Sequence, residues 1–250
     1  MLECRNAEVP AIPAFQHSSI WHSSPMTPTL SYDLHPGRPD SPLIVVLHGL
    51  GDSKEGWKPV APMLDLPGWG WCFVQAPDAY GPGWSWFDLA LDGPVRVDAA
   101  GVARSQEAIL ELLAHLEQRH GIPCERIALL GFSQGCLMTL ETVLRHPRPF
   151  LAAVAISGWL HRDADWPGGF GAAVRQQRLL VTHGRHDPLI DISLAAPRIA
   201  RLKSLGVPAL WAEYDKEHGL DPGDEIADIR RHLLDAEAAP PHSPAPGAFA

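Results

Sequence analysis

The sequence has no excess of positive charge and no long hydrophobic run. Its 20 lysine and arginine residues stand against 29 acidic residues, which gives a formal net charge of -9. Binding to nucleic acid or to an anionic membrane surface requires clustered positive charge, and the sequence contains no such cluster. A helix that spans a bilayer needs about 20 mostly apolar residues, and no apolar run approaches that length. We therefore expect neither nucleic-acid binding nor integral membrane association.

Cysteine is also scarce, with four residues in a chain of 250: Cys4, Cys72, Cys124 and Cys136. Their spacing matches no metal-binding motif, and they are too few for a disulfide framework. We predict that Cys72 and Cys136, which stand among apolar residues, are buried free thiols. The first residues lack the positive-then-apolar order of a signal peptide. These features favour a cytoplasmic location.

The two ends of the chain differ in composition from its middle. Residues 1–28 contain several prolines and little apolar periodicity, so we predict an extended or disordered arm, and Met26 is an alternative start of translation. Residues 236–250 are rich in alanine and proline and are predicted to form a frayed tail. Residues 29–235 show neither a linker nor a repeat, which predicts a single domain.

Within this domain, short apolar runs alternate with longer amphipathic segments. The apolar runs predict strands at Leu43–Leu47, Trp71–Val74, Ile127–Leu130, Leu151–Ile156, Arg178–Thr182 and Ala209–Tyr214. The amphipathic segments predict helices at Val102–His120, Gln134–His146, Leu194–Leu205 and Glu225–Asp235. Strands that are apolar on both faces and separated by helices are typical of a mainly parallel sheet covered by helices. Functional groups in such proteins gather in loops beyond the carboxyl ends of the strands.

The most informative motif is a G-x-S-x-G pattern at residues 131–135. It follows the strand Ile127–Leu130 and precedes a helix, which is the context of a nucleophile elbow. In this sharp turn the serine has a strained backbone, and a glycine on each side avoids collisions. Ser133 is therefore the candidate nucleophile. The alternative at this point is an ordinary tight turn in which the serine caps the helix.

A serine hydroxyl needs a base that removes its proton, and that base is normally a histidine oriented by a carboxylate. In a sheet with a nucleophile elbow, the acid and then the histidine follow the serine along the chain, each after a later strand. Asp187 follows the strand Arg178–Thr182, and His218 follows the strand Ala209–Tyr214. The sequence therefore predicts a triad of Ser133, Asp187 and His218.

Three neighbouring residues offer alternatives to these assignments. His183 and His186 precede Asp187, so either of them as the base would reverse the order of acid and base. The same two histidines lack a third ligand nearby, and we expect no metal. Asp191 is a rival acid, but it stands where a helix is predicted to begin, and helix capping is its expected role.

Acyl transfer also needs backbone N–H groups that stabilise the negative oxygen of the transition state. The residue after the nucleophile, Gln134, supplies one of them. We predict that Leu50 supplies the second, from the glycine-rich loop that follows the strand Leu43–Leu47. This loop does not match a dinucleotide or phosphate loop, because the third glycine and the Gly-Lys-Ser/Thr sequence are absent.

Four aromatic residues are candidates for an apolar wall around an acyl chain or a leaving group: Trp84, Trp86, Phe87 and Trp159. The first three belong to the unusual segment 78–88, which combines aromatics with glycines after the second predicted strand. Ordinary packing of aromatic side chains in a loop is the alternative to this substrate-binding role.

Together these motifs resemble the phospholipase/carboxylesterase family of the α/β-hydrolase superfamily, which includes the acyl-protein thioesterases. The resemblance extends over about residues 42–234 and rests on segments 48–53, 84–88, 131–135 and 183–189 and on His218. It implies an α/β-hydrolase fold without a large lid. The resemblance also implies the same triad and the same oxyanion donors. It further implies an apolar acyl site, the absence of a cofactor and, as is often the case in the family, a homodimer. Two features depart from the family pattern: Cys136, where a small residue is usual, and the segment up to Ser41.

The expected activity is hydrolysis of carboxylic esters through an acyl-enzyme on Ser133. A thioesterase or a lysophospholipase would use the same catalytic residues and differ in its pockets. The alternative from another class is a catalytically silent hydrolase fold that binds an apolar ligand or a protein partner. The residues alone do not specify the acyl-chain length, the choice of ester or thioester, or the oligomeric state.

Overall fold

The computed structural model describes residues 28–90, 95–162 and 169–239. The strands, in chain order, are β1 (Tyr32–His35), β2 (Leu43–Leu47), β3 (Gly70–Val74), β4 (Asp78–Tyr80), β5 (Gly83–Ser85), β6 (Leu89–Ala90), β7 (Arg96–Val97), β8 (Ile127–Phe132), β9 (Ala152–Ile156), β10 (Leu179–Gly184) and β11 (Ala209–Tyr214). The helices are α1 (Val60–Leu64), α2 (Ala99–His120), α3 (Gln134–Val143), α4 (Ile192–Ser204) and α5 (Asp224–Ala238).

Seven strands form the main sheet, in the order β1-β3-β2-β8-β9-β10-β11. The edge strand β1 runs antiparallel to β3, and the other neighbouring strands are parallel. The parallel strands therefore have their carboxyl ends at one edge of the sheet. The loops that follow β2, β8, β10 and β11 meet at this edge, which is where ligands bind in open α/β sheets.

Helices cover both faces of this sheet, which explains why its central strands are apolar on both sides. Successive residues of a strand point to opposite faces. In β2, the side chains of Leu43, Val45 and Leu47 belong to one core, together with residues of α2, α3 and α4. Ile44 and Val46 belong to the second core, together with residues of α1 and α5. The mainly parallel sheet with helices on both faces, predicted from the sequence, is confirmed.

The predicted elements are all present, and the largest differences in where a helix ends are at α3 and α5. α3 ends at Val143 instead of His146, because Pro147 disfavours helical backbone at the residue before it. α5 continues to Ala238, because Ala236 is buried in the second core.

Both predicted terminal segments lie largely outside the described residues. For the arm over residues 1–28, only residue 28 is described, and for the tail over residues 236–250 the described part is residues 236–239. The first three residues of that tail continue α5, so the helix extends beyond the boundary that the alanine- and proline-rich composition indicated.

Several short elements were not predicted. They include the edge strand β1, the five-residue helix α1 and two small antiparallel strand pairs, one of β4 with β5 and one of β6 with β7. Elements of two to five residues are too short to show a clear apolar period. Among the described helices, none is both long enough and apolar enough to cross a bilayer.

Three cysteines of the described chain are buried free thiols: Cys72, Cys124 and Cys136. This confirms the prediction for Cys72 and Cys136, whereas Cys4 lies outside the described residues. Burial raises the pKa of the Cys72 thiol to about 12, so this side chain stays protonated near neutral pH.

The long helix α2 provides a test of the first core. Ile109 is completely buried in that core, whereas its neighbour Leu110 is 36% exposed. We expect Ile109→Ala to lower the free energy of unfolding by about 2–5 kcal/mol, because it leaves a cavity. Leu110→Ala, the matched control, should change it by less than about 1 kcal/mol, since alanine favours helix. Urea unfolding of both variants measures the difference, and equal losses would contradict this description of the core.

Candidate active site

Ser133 lies at the sharp turn between β8 and α3 and has an unusual backbone conformation. Its φ is 55° and its ψ is -112°, a combination that L-residues rarely adopt. Such a conformation costs on the order of 1–3 kcal/mol and persists only where the surroundings enforce it. A Cβ on Gly131 would collide with the carbonyl of Gly135, and a Cβ on Gly135 would collide with the carbonyl of Leu47. The glycines of the motif are therefore required by the close approach of β8, α3 and β2.

The structure brings the three predicted triad residues together. The Nε2 atom of His218 lies 3.0 Å from the Ser133 hydroxyl oxygen, and its Nδ1 atom lies 2.7 Å from a carboxylate oxygen of Asp187. An ionised carboxylate can only accept a hydrogen bond, so the imidazole proton resides on Nδ1. Nε2 is then free to accept the hydrogen of the Ser133 hydroxyl. This is the arrangement in which an imidazole can act as a general base towards a serine.

Asp187 is held by two backbone N–H donors besides the imidazole. Its second carboxylate oxygen accepts the backbone N–H groups of Leu189 at 3.0 Å and of Ile190 at 2.9 Å. Burial acts to raise the pKa of Asp187, but the hydrogen bond from His218 and those from the backbone outweigh burial and lower the pKa below its ordinary value. Asp187 is therefore ionised at neutral pH. Its negative charge lies directly beside the imidazole of His218.

Of the alternative residues, His183 lies close to Asp187, with 3.7 Å between its Nε2 and a carboxylate oxygen. His183 is buried, its Nε2 lies 2.9 Å from the Ile190 carbonyl oxygen, and burial lowers its pKa. His186 is exposed and pairs with the carboxylate of Asp215. Asp191 accepts the N–H of Ser193 at the start of α4, so it caps this helix, as predicted. None of the hydrogen bonds in the described part of the chain joins His183 or His186 to Ser133.

The two predicted oxyanion donors follow β2 and β8, which end at the same edge of the sheet. Gln134 is the first residue of α3, where backbone N–H groups have no partner within the helix. Leu50 follows β2 and lines the cavity above Ser133. In the hydrogen bonds of the described residues, neither backbone N–H has a protein acceptor. Both groups therefore remain able to donate to a ligand.

His48 holds the loop that carries Leu50, a role that the sequence analysis missed. Its Nε2 accepts the N–H of Ala76 at 3.1 Å, so its proton is on Nδ1, which donates to the Gly49 carbonyl at 2.7 Å. Burial lowers the pKa of His48 and favours this neutral form. The indole N–H of Trp86 donates to the His48 carbonyl at 2.8 Å. The signal that could have revealed this role is the histidine itself, which directly follows the apolar strand at the start of segment 48–53.

The side chain of Gln134 has a structural function in addition to its backbone position. Its amide nitrogen donates to the Phe87 carbonyl at 2.7 Å, and its amide oxygen accepts the N–H of Trp86 at 2.9 Å. The side chain is fully buried. It therefore fastens the loop after β5 to the start of α3.

The prediction that aromatic residues form the substrate wall is wrong for three of the four. Trp86, Phe87 and Trp159 are at most 2% exposed and belong to the first core. Their rings fill the interior beneath the site, where apolar burial is most favourable. Trp84 is partly exposed, but its backbone pairs with Asp52, and it lines neither of the cavities described below. Ordinary packing, the alternative named in the sequence analysis, describes these residues.

Two adjoining cavities open at this edge of the sheet. A cavity of about 180 Å³ contains Ser133 and His218, and most of its remaining wall is apolar: Gly49, Leu50, Asp52, Leu89, Phe132, Leu189 and Ile190. A second cavity of about 380 Å³ shares Leu50 and Leu89 with the first. The rest of its wall is more polar and consists of Tyr80, Ser85, Asp88, Ala90, Arg96, Val97 and Asp98. The ring of Phe132 packs against the imidazole of His218, with 4.9 Å between ring centroids.

Among the described residues, no group of three or more histidine, cysteine, aspartate and glutamate side chains is arranged to hold a metal ion. The chemistry that this arrangement offers is nucleophilic and acid–base catalysis by its own side chains. It consists of a serine, an imidazole and an ionised carboxylate in hydrogen-bonded order.

Solved structures support the assignment of the fold. The chain aligns with the crystal structure of esterase PE8 with a TM-score of 0.74 and 24% identity, over 83% of this chain and 99% of the other. It aligns with Zea mays acyl-protein thioesterase 2 with a TM-score of 0.68 and 24% identity, over 82% and 98%. The predicted α/β-hydrolase fold is thereby confirmed.

Sequence comparisons define the family within this fold. The family model described as Phospholipase/Carboxylesterase matches residues 34–235, so the chain belongs to that family. It is 29% identical over 171 residues to acyl-protein thioesterase 1 of Schizosaccharomyces pombe, which covers 65% of this chain and 76% of the relative. It is 32% identical over 160 residues to acyl-protein thioesterase 1 of Cryptococcus neoformans, covering 59% and 67%. The chain is a hydrolase that acts on esters or thioesters.

The close packing around the Ser133 turn can be tested at Gly135. We expect Gly135→Ala to lower the free energy of unfolding by about 1–3 kcal/mol, because the added methyl group meets the backbone of β2. Gly219→Ala is the matched control, since no heavy atom lies within 4 Å of a Cβ built there. Urea unfolding of the two variants measures the contrast. A Gly135→Ala protein as stable as the wild type would show that the turn has more room than the structure gives it.

Proposed function

We propose that this protein is a serine carboxylesterase in which Ser133 is the nucleophile, His218 the general base and Asp187 the residue that orients the base. The observation that carries the proposal is the continuous hydrogen-bonded series from the Ser133 hydroxyl through the imidazole to the carboxylate. The proposal is also supported by the membership of this chain in a family of ester and thioester hydrolases.

In the proposed acylation step, the Ser133 oxygen attacks the carbonyl carbon of the ester while its proton moves to Nε2 of His218. The negative charge that develops on the carbonyl oxygen is stabilised by the backbone N–H groups of Leu50 and Gln134. When the carbon–oxygen bond to the alcohol breaks, the protonated imidazole gives its proton to the departing oxygen. The acyl group is then esterified to Ser133, and the free alcohol leaves.

In the deacylation step, water takes the place of the alcohol. His218 removes a proton from the water as it attacks the acyl carbon, and it returns that proton to the Ser133 oxygen when the acyl bond breaks. The carboxylic acid leaves, and the enzyme returns to its starting state. Throughout, ionised Asp187 keeps the imidazole in the tautomer that presents Nε2 to the serine.

The apolar wall of the smaller cavity suits an acyl chain, and the larger adjoining cavity offers room for a longer chain or for the leaving group. A thioesterase is the second candidate, because the relatives with which the chain shares about 30% identity are acyl-protein thioesterases. It would use the same steps with sulfur as the leaving atom.

The carboxylate assignment can be tested with two aspartates that lie close together in the chain. We expect Asp187→Asn to lower kcat on the order of 10⁴-fold, because an amide cannot hold the imidazole in the required tautomer. Asp191→Asn should retain wild-type activity, since asparagine also caps a helix well. Steady-state kinetics of both variants gives the answer. A large loss in Asp191→Asn with little loss in Asp187→Asn would reverse the assignment.

Substrate preference can be measured with p-nitrophenyl esters from acetate to palmitate and an acyl thioester of each chain length, with Ser133→Ala as the blank. We expect the Ser133→Ala rate to be at least about 10⁴-fold below the wild type. Because the catalytic cavity holds only about 180 Å³, kcat/KM for esters should be highest with short to medium chains. A maximum at long chains on the thioesters would favour the thioesterase. Wild-type rates equal to the blank on every substrate would contradict both proposals.

A further inference from the structure

Lys216 is a buried lysine in the loop that carries His218. Its side chain is 7% exposed. Its ammonium group lies 2.6 Å from each carboxylate oxygen of Glu225, 2.7 Å from the Gly219 carbonyl oxygen and 3.2 Å from the Ser157 hydroxyl. An ammonium group has three protons to donate, and here all of its acceptors are protein groups. The position of the Lys216 side chain is therefore fixed by hydrogen bonds to three other residues.

Glu225 completes this arrangement from the first turn of α5. Its side chain is fully buried, and one of its carboxylate oxygens also accepts the backbone N–H of Asp221 at 2.8 Å. The Asp221 carboxylate in turn lies 3.2 Å from the backbone N–H of Glu225. Glu225 therefore binds the loop on both sides of His218, at Lys216 before it and at Asp221 after it.

Lys216 also connects the segments that carry the other two candidate catalytic residues. Its backbone carbonyl accepts the N–H of His186, the residue before Asp187. Its ammonium group binds Ser157, and the neighbouring Ile156 carbonyl accepts the N–H of Ser133 at 2.9 Å. One residue thus links the loops after β9, β10 and β11.

A buried ion pair contributes little net stability, because the cost of removing two charges from water offsets most of their attraction. Burial lowers the pKa of Lys216, and the Glu225 carboxylate opposes that effect. What the pair does provide is geometry, since its hydrogen bonds fix backbone atoms on both sides of His218. The pair does not line either cavity, so it is not placed to touch a substrate.

We propose that Lys216 and Glu225 are positioning residues that hold the His218 imidazole between Asp187 and Ser133. This inference rests on the proposed catalytic function of those three residues. Without the pair, the loop over residues 216–221 is still anchored by β11 and α5 at its ends, but it loses the hydrogen bonds of the Lys216 ammonium group that fix its conformation. The imidazole then spends less time at hydrogen-bond distance from both partners.

The test uses the double variant Lys216→Met/Glu225→Gln in the full chain. It contains no buried charge at either position, and glutamine keeps an oxygen that can accept the N–H of Asp221. We expect kcat on the best p-nitrophenyl ester to fall about 100-fold, the scale that a small misplacement of a catalytic group produces. KM and the urea midpoint should stay near the wild-type values, because the cavities and the apolar cores are unchanged.

The matched control is Arg148→Met, which removes the ion pairs with Glu117 and Glu125. Arg148 lies shortly before β9, at the opposite end of the parallel strands, so its loss should leave kcat unchanged. If the double variant keeps the wild-type kcat, or if KM rises in proportion to the loss of kcat, the positioning role is wrong.

A proton NMR measurement separates this inference from the proposed function. An imidazole N–H that is hydrogen-bonded to a carboxylate gives a resonance far downfield, and the His218 Nδ1 proton should show one in the wild type. We expect this resonance to broaden or disappear in the double variant and to persist in Arg148→Met. If the wild type hydrolyses no substrate, the proposed function fails, and the resonance still tests the positioning. An unchanged resonance in the double variant would overturn the positioning role of Lys216 and Glu225.

Discussion

The geometry of the site depends on one backbone constraint, the positive φ of Ser133. The conformation is unfavourable by itself, and close packing of β8, α3 and β2 enforces it. The Ser133 N–H donates to the Ile156 carbonyl, which fixes the turn to β9. The strain is therefore offset by a fully buried helix and by two cores. This turn directs the Ser133 hydroxyl towards the loops that follow β10 and β11.

Buried polar side chains fix the conformations of the loops around this turn. The His48 side chain binds the loop that contains Leu50, and the Gln134 side chain binds the loop after β5. The ion pair of Lys216 and Glu225 binds the loop that contains His218. An unpaired polar group in the interior costs about 1–3 kcal/mol, so each of these groups restricts its loop to conformations that satisfy it. The loops at the active edge are thereby specified by hydrogen bonds, whereas the sheet beneath them is specified by apolar packing.

The sequence was sufficient for the six parallel strands of the sheet and for the residues that gather at their carboxyl ends. Buried parallel strands and amphipathic helices have clear apolar periods, and the order of Ser133, Asp187 and His218 follows from the topology. The edge strand β1 and the small strand pairs were missed because they are short. The substrate wall was predicted incorrectly because aromatic residues suit both a core and a pocket. Residue type does not distinguish the two for Trp86, whose position depends on its contacts with His48 and Gln134.

Leu50 and Leu189 each serve the site in two separate ways. Both residues line the cavity at Ser133, the Leu189 backbone N–H binds Asp187, and the Leu50 backbone N–H is a proposed oxyanion donor. A substitution at either position alters the shape of the cavity and leaves the backbone donor in place. The range of accepted substrates can therefore diverge among descendants of this chain by single mutations, without an intermediate in which the hydrogen bonds of the proposed triad are lost.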